Sequence, residues 1–399
     1  MIQFEQGQLD QLKKLQEQTD DESQLGQFNL LKRFYTNDLY SDFEKEVLNL
    51  IPNDCPIVAK YSKLETFPIV NHTRFDSITL NVLNIPAKSS QPTSTVTSST
   101  PVLLFVHGLG GQLSQFELLI EAFKGMFDIF GVDLPGFGNS KPVVDNNNFN
   151  KLSNYSDDDL NKLQESLDKL TWEDYQTDCI VDVLYQILEY KFQGTRSFII
   201  IGHSMGTHIS LKLINKFKKK DDEDKVESLI LLAPAKLGPL KLPLGTRMFL
   251  NTCNYTPRLF DFYRLLDRKG GIYSKSVNSY IYSNDNDDDL MKRFTQLRWN
   301  LDTNSTIFLR YVYGFKPITS KELIESCNKI SNCETKSKIM IVCGNDDKIT
   351  PLKYSQVIYN ELKQNEIKVK LECINNANHS LFIDNPNDLK QIIFEFLQV

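Results

Sequence analysis

Apolar residues along this chain fall into short unbroken runs separated by longer stretches of helical periodicity. Val102–Val106, Phe127–Val132, Phe198–Ile201, Val226–Ala233, Lys338–Val342 and Ile367–Ile374 are too short for buried helices and rich in β-branched and aromatic residues. They read as strands of a buried sheet. Between them, the patterns predict helices at about Leu113–Lys124, Thr171–Phe192, directly after Ser204, Leu352–Leu362 and Asp388–Leu397. Strand and helix alternating at this spacing argue for right-handed βαβ units and a parallel sheet. Residues 66–85 alternate instead, most clearly at Ile78, Leu80 and Val82, and predict two antiparallel edge strands joined near Asn71–Arg74. Upstream, Leu9, Leu12 and Leu15 mark one side of a short helix in a peripheral arm, and residues 34–64 predict one helix and an extended entry.

The rhythm breaks in four places. Ala87–Thr100, rich in Ser, Thr and Pro, predicts a solvated loop. Asn and Asp runs at 145–148 and 157–159 predict an excursion over 141–170, and the charged tract Lys218–Lys225 predicts a surface turn. The longest break runs from Pro234 to about Thr335, where helical patterns carry many aromatic residues between Phe249 and Tyr313. Such side chains must bury against something, which predicts a helical layer over the sheet's carboxyl edge enclosing an apolar pocket near Ser204. The expected organisation is a helical arm over 1–55, an α/β core over 56–235, a helical cap insertion over 236–335 and the rest of the core over 336–399.

Composition narrows the function. A chain of 399 residues with 41% hydrophobic and 11% aromatic content can bury a sizeable core, and a net charge of −6 gives no sign of a nucleic-acid partner. Seven scattered cysteines, odd in number and without metal-ligand spacing, read as reduced thiols. No cofactor or metal is implied. Met1–Gln24 lacks the apolar core of a secretion signal, and no run approaches the ~18 apolar residues of a spanning helix.

The candidate chemistry sits at Gly202-His203-Ser204-Met205-Gly206, between the Phe198–Ile201 run and an apolar helix start. Strand, Gly-x-Ser-x-Gly turn and helix form the nucleophile elbow, in which the two glycines leave room for a tight turn. A serine hydroxyl needs a base to take its proton and a third group to fix that base. In this strand order acid and histidine follow the serine. Of the five histidines only His379 lies beyond the elbow helix, directly after the last predicted strand. The loop after the preceding strand offers Asp346 and Asp347, with Asp347 preferred. Oxyanion donors are expected from the backbone N–H groups of Met205 and Leu109, the latter in a loop where Gly108 permits close approach. His107 and Asp133 are expected to support the site by hydrogen bonds, and His203 and His208 to pack or anchor loops.

His107-Gly108-Leu109-Gly110, Asp133-Leu134-Pro135-Gly136-Phe137-Gly138, the elbow, Gly344-x-x-Asp347-x-x-x-Pro351 and Asn378-His379-Ser380 resemble the ordered motifs of the α/β-hydrolase superfamily. The family's acid, four residues before that proline, supports Asp347. Leu109–Glu117, Leu231–Pro234 and Pro257–Arg264 resemble the fungal lipid droplet hydrolase type. The resemblance implies a mostly parallel sheet with helices on both faces and an inserted cap. It implies a serine hydrolase of lipid acyl esters in the cytoplasm or peripherally attached to a lipid droplet surface. His379 and Asp384 also match an H-x4-D pattern of acyltransferring relatives, which keeps lysophospholipid-type acyl transfer as one alternative. A non-catalytic lipid-surface or scaffold protein is the other.

Overall fold

The computed structural model describes residues 10–17, 27–36, 39–70, 72, 74–87, 100–143, 155–217, 225–239, 243–283, 287–330 and 338–398. The expected loop at 88–99, the Asn/Asp run at 145–148 and the turn at 218–224 lie outside them.

Four helices open the chain: α1 over residues 10–17, α2 (Gln27–Thr36), α3 (Asp42–Leu50) and α4 (Pro56–Tyr61). Strands β1 (Ser62–Pro68), β2 (Ser77–Ile85) and β3 (Val102–Val106) follow, then α5 (Glu117–Phe123) and β4 (Asp128–Val132). Helices α6 (Asp157–Asp168) and α7 (Thr177–Phe192) precede β5 (Phe198–His203), α8 (Met205–Lys216) and β6 (Val226–Leu232). Between β6 and β7 the chain makes α9 (Leu244–Tyr255), α10 (Pro257–Arg268), α11 (Lys275–Tyr280), α12 (Asp287–Asp302), α13 (Ser305–Gly314) and α14 (Ser320–Asn328). It closes with β7 (Ile339–Gly344), α15 (Leu352–Gln364), β8 (Val369–Ile374), α16 (Leu381–Asp384) and α17 (Pro386–Leu397).

The strands form one sheet in the order β1-β2-β4-β3-β5-β6-β7-β8. β1 pairs antiparallel with β2 and β2 with β4, while every pair from β4 to β8 is parallel. Every residue of β3, β5 and β7 is buried, which is why these runs show no polar alternation. The period of two sorts them into two cores. Leu104, Ile200, Leu229 and Ile341 face one layer, with Ile187 of α7, Ile209 of α8 and Leu323 of α14. Leu103, Phe105, Ile201, Ile230 and Val342 face the other, with Val58 of α4, Phe123 of α5 and Ile393 of α17. Each such side chain contributes about 1.5–3 kcal/mol on burial.

Several expectations change. Two helices, not one, lie within 34–64 before β1. The box closed by Ser41 and Glu44 starts α3, and Pro56 in the first turn starts α4. The acidic run at 157–159 is the first turn of α6, capped by Ser156, where negative charge suits the helix dipole. Leu163 and Leu167 of α6 then bury in the core. Thr171 caps only a single turn at Trp172–Tyr175, and α7 begins at Thr177. α14, expected in the insertion, packs in the sheet's own layer: Ser326 Oγ donates to Leu211 O at 2.8 Å, and Leu323 and Cys327 join the core. The arm is not peripheral either. Leu12, Leu15, Phe43 and Val47 bury in one cluster with Ile272, Val277, Phe294 and Leu297, so α1 and α3 are built into the inserted layer. Buried Asp302 at the end of α12 sits 3.0 Å from Lys141 Nζ and 2.5 Å from Arg298 Nη1, tying that layer to the loop after β4.

Candidate active site

β5 leads straight into Ser204, whose φ of 53° and ψ of −121° put a non-glycine residue in strained backbone. Ser204 N donates to Leu232 O at 2.9 Å, so the turn is held by the neighbouring strand. A Cβ at Gly202 would lie 2.6 Å from Ser210 Oγ, and one at Gly206 would collide with the carbonyl oxygens of Val106 and His107. Glycine at both positions is therefore a packing requirement. α8 begins at Met205, whose N–H, at the helix start, has no carbonyl in a preceding turn.

The loops after β7 and β8 bring two more side chains to the same edge. His379 Nε2 lies 3.0 Å from Ser204 Oγ, and His379 Nδ1 lies 2.9 Å from Asp347 Oδ2. Asp347 Oδ1 accepts Ile349 N–H at 2.8 Å and Thr350 N–H at 2.7 Å. Burial raises the Asp347 carboxyl's pKa, but the hydrogen bonds from His379 and Thr350 outweigh it and hold the group below the usual value. Asp346 is exposed and anchors only through its backbone, donating to Ala377 O at 3.0 Å.

Gly108 lies against the elbow: a Cβ there would fall 2.9 Å from Ser204 Cβ and 3.4 Å from Met205 N. The loop carrying Leu109 thus runs against the start of α8. His107 Nε2 accepts Leu134 N–H at 2.8 Å, so Nδ1 carries the proton given to Gly108 O at 2.9 Å. Burial lowers the pKa of this ring to about 4. Buried Asp133 accepts Leu113 N–H at 2.8 Å, Asn139 N–H at 3.0 Å and Asn81 Nδ2 at 2.7 Å, tying β2 to the segments that follow β3 and β4. His203 donates from Nε2 to His379 O at 3.1 Å, and burial followed by the neighbouring His379 lowers its pKa to about 3. His208 accepts Ile318 N–H at 2.8 Å and donates to Ala235 O at 3.0 Å.

Sequence reasoning missed four neighbours. The Thr350 hydroxyl lies 2.7 Å from Asp347 Oδ2 and 3.1 Å from His379 Nδ1. Asn378 Oδ1 accepts the N–H groups of His379 and Lys348 at 2.9 and 3.0 Å, fixing the histidine loop. The Tyr280 ring stands edge-on to His379 at 5.5 Å. Asp384 accepts Asn378 N–H at 2.7 Å and Tyr282 N–H at 3.0 Å, so the acid of the H-x4-D spacing clasps backbone. Of the four, Asn378 and Asp384 stand in sequence motifs around His379.

Above the site, a cavity of about 280 Å³ lies among α10, α11, α12 and α13, lined by Phe260, Phe308, Tyr280, Arg264, Lys275 and Thr303 among others. It reaches Tyr280 beside His379, but Ser204 is not in its lining. Its lining combines aromatic and cationic residues. Among the described residues no group of three or more acidic, His or Cys side chains could hold a metal, and no helix is long and apolar enough to cross a membrane.

The sequence profile of the alpha/beta hydrolase fold family matches residues 101–386. An abhydrolase domain-containing protein of Schizosaccharomyces pombe is 25% identical over 394 residues, covering 94% of this chain and 93% of its own. Lipid droplet hydrolase 1 of Saccharomyces cerevisiae is 26% identical over 299 residues, covering 71% of this chain and 72% of its own. Among solved structures, a bromoperoxidase from Bacillus anthracis superposes with a TM-score of 0.55 at 15% identity, over 84% of this chain and 100% of its own. A thermophilic esterase from Thermogutta terrifontis gives 0.53 at 16% identity, over 84% and 98%. At those identities the two structures speak for the fold alone.

Proposed function

Because the chain belongs to the α/β hydrolase fold family, we propose that it is a serine hydrolase of lipid acyl esters working through an acyl-enzyme on Ser204. The observation that carries the reading is the continuous relay from Ser204 Oγ through His379 to Asp347, at 3.0 and 2.9 Å. In the first step Ser204 Oγ attacks the ester carbonyl while His379 Nε2 takes its proton. Asp347 holds Nδ1–H and stabilises the imidazolium. The N–H groups of Met205 and Leu109 receive the oxyanion. The tetrahedral intermediate collapses, His379 protonates the departing alcohol, and Ser204 keeps the acyl group. Water, deprotonated by His379, then releases the acid and restores the serine.

A lipid substrate draws support from the similarity to the yeast lipid droplet hydrolase and from the surface of the inserted layer. Leu244 and Met248 on α9, Leu259, Tyr263 and Leu266 on α10, and Leu31 and Tyr35 on α2 are exposed at helical spacing. Phe34 and Phe262 hold α2 to α10 at 5.4 Å, and exposed Arg247 and Arg258 flank the patch. Such a face suits peripheral attachment to a lipid surface. We read α9–α13 as the cap, which moves to admit substrate. Hydrolysis is preferred to acyl transfer because the Asp384 carboxylate is occupied by backbone donors.

The test is a panel of acyl esters with and without an alcohol acceptor. Each buried methylene can contribute ~0.8 kcal/mol, so medium and long chains should exceed acetyl esters by more than about tenfold in kcat/KM, with free acid as the product. A flat profile would remove the lipid assignment, and new ester as the main product would favour acyl transfer.

A further inference from the structure

The cavity in the cap has a mixed lining. Phe260 stacks on Phe308 at 5.7 Å and on Tyr263 at 5.9 Å, making part of it aromatic. The lining also carries Arg264, Arg268, Lys275 and Asp267. Arg268 is committed, with Nε 3.2 Å from Glu44 Oε1 and Nη2 donating to Leu39 O at 2.6 Å. Asp267 accepts Ser276 N–H at 3.2 Å.

Arg264 is placed differently. It donates to Thr303 O at 2.5 Å, Asn300 O at 2.6 Å and Ser305 Oγ at 2.9 Å, all neutral acceptors. A guanidinium has five N–H donors, so two remain without an acceptor among the described residues. Burial, followed by the neighbouring Arg268 cation, lowers its pKa to about 10. Half-buried Arg264 caps the end of α12 without needing those two donors. Exposed Lys275 stands at the same cavity with no ion pair among the described residues.

The cationic lining also adjoins the reaction centre. A Cβ at Gly110 would lie 3.6 Å from Thr303 Oγ1 and 4.0 Å from Phe308, so the residue whose carbonyl Arg264 binds touches the loop of Leu109. Tyr280, also in the cavity's lining, stands edge-on to His379.

We propose that Arg264, with Lys275 at the rim, forms an anion subsite that receives the phosphate of an acyl ester whose carbonyl lies at Ser204. A planar guanidinium suits two phosphate oxygens at once. The proposal rests on Ser204 being the nucleophile, and it narrows the substrate to acyl esters with an anionic headgroup.

The experiment compares 1-acylglycerol 3-phosphate with the 1-acylglycerol of the same chain length, in detergent micelles with the full chain. Wild type should favour the phosphate ester by at least about tenfold in kcat/KM. Arg264→Gln should bring that ratio to near one, and Lys275→Gln, at an exposed position, should reduce it about threefold. A binding arm needs no turnover: glycerol 3-phosphate and inorganic phosphate are each titrated against Ser204→Ala by thermal shift, with and without Arg264→Gln. A rise in Tm that Arg264→Gln abolishes supports the subsite. Equal rises with the two anions identify phosphate alone as the ligand, and a larger rise with glycerol 3-phosphate identifies the lipid headgroup. Equal rates for the two esters in wild type, or no rise in Tm with either anion, would overturn the subsite. Failure to hydrolyse either ester while Tm still rises would instead count against the hydrolase reading and leave the anion site standing.

Discussion

Asp346 and Asp347 are chemically identical neighbours, and the structure gives them opposite surroundings. Asp347 is 5% exposed and meets four donors, while Asp346 faces solvent. Asp347→Asn presents an amide where His379 needs an acceptor, and the imidazole is then held in the wrong tautomer. Steady-state kinetics should show a fall in kcat on the order of 10⁴-fold. Asp346→Asn should stay within about threefold of wild type, since its carboxylate faces solvent and takes no part in the relay. The reverse ranking would move the role by one residue. At this scale the sequence revealed residues whose constraint is local: Ser204 between two glycines, and His379 at a strand end. The reach of Thr350 and Tyr280 to His379 was not legible, because they lie 29 and 99 positions from it and no periodicity encodes such pairs.

Among the elements, α8 both starts at Ser204 and holds the ends of the segment inserted after β6, because His208 bonds Ala235 O near its start and Ile318 N after α13. Only a neutral ring makes both bonds. Burial lowers the His208 pKa to about 4, against about 6.5 when unfolded. The folded value is the lower one, so this stability is full above about pH 6.5 and is lost as pH falls through about 4, at about 1.4 kcal/mol per unit. Lys212 and Glu322 face the ring with opposite effects. Gln at 208 donates and accepts without titrating. Between pH 7 and 5, wild type should therefore lose about 2 kcal/mol more than His208→Gln in urea unfolding, and equal losses would contradict the clamp. The buried strands were legible because sheets covered on both faces leave apolar runs. The position of α14 was not. Its Leu323 and Cys327 look like any amphipathic stripe, and only the contact with α8 assigns them to the core layer.

At the level of the whole molecule, the arm and the cap share one hydrophobic cluster. Phe294 is fully buried in it, with its ring 6.3 Å from Phe43. Phe294→Ala should cost about 3–5 kcal/mol in chemical denaturation and expose α1 and α3 to limited proteolysis. A loss under about 1 kcal/mol would mean that arm and cap are independent. The patterns at 1–64 gave apolar faces but no partner for them, which is why the arm read as peripheral. Ser204 stands where β5 ends and α8 begins. Treating the full chain with a fluorophosphonate and sequencing the labelled peptide by mass spectrometry is the most direct test of its role. Stoichiometric modification of Ser204 in wild type, none in Ser204→Ala and loss of ester hydrolysis in step with labelling are the expected results. Undiminished labelling or hydrolysis in Ser204→Ala would contradict the account.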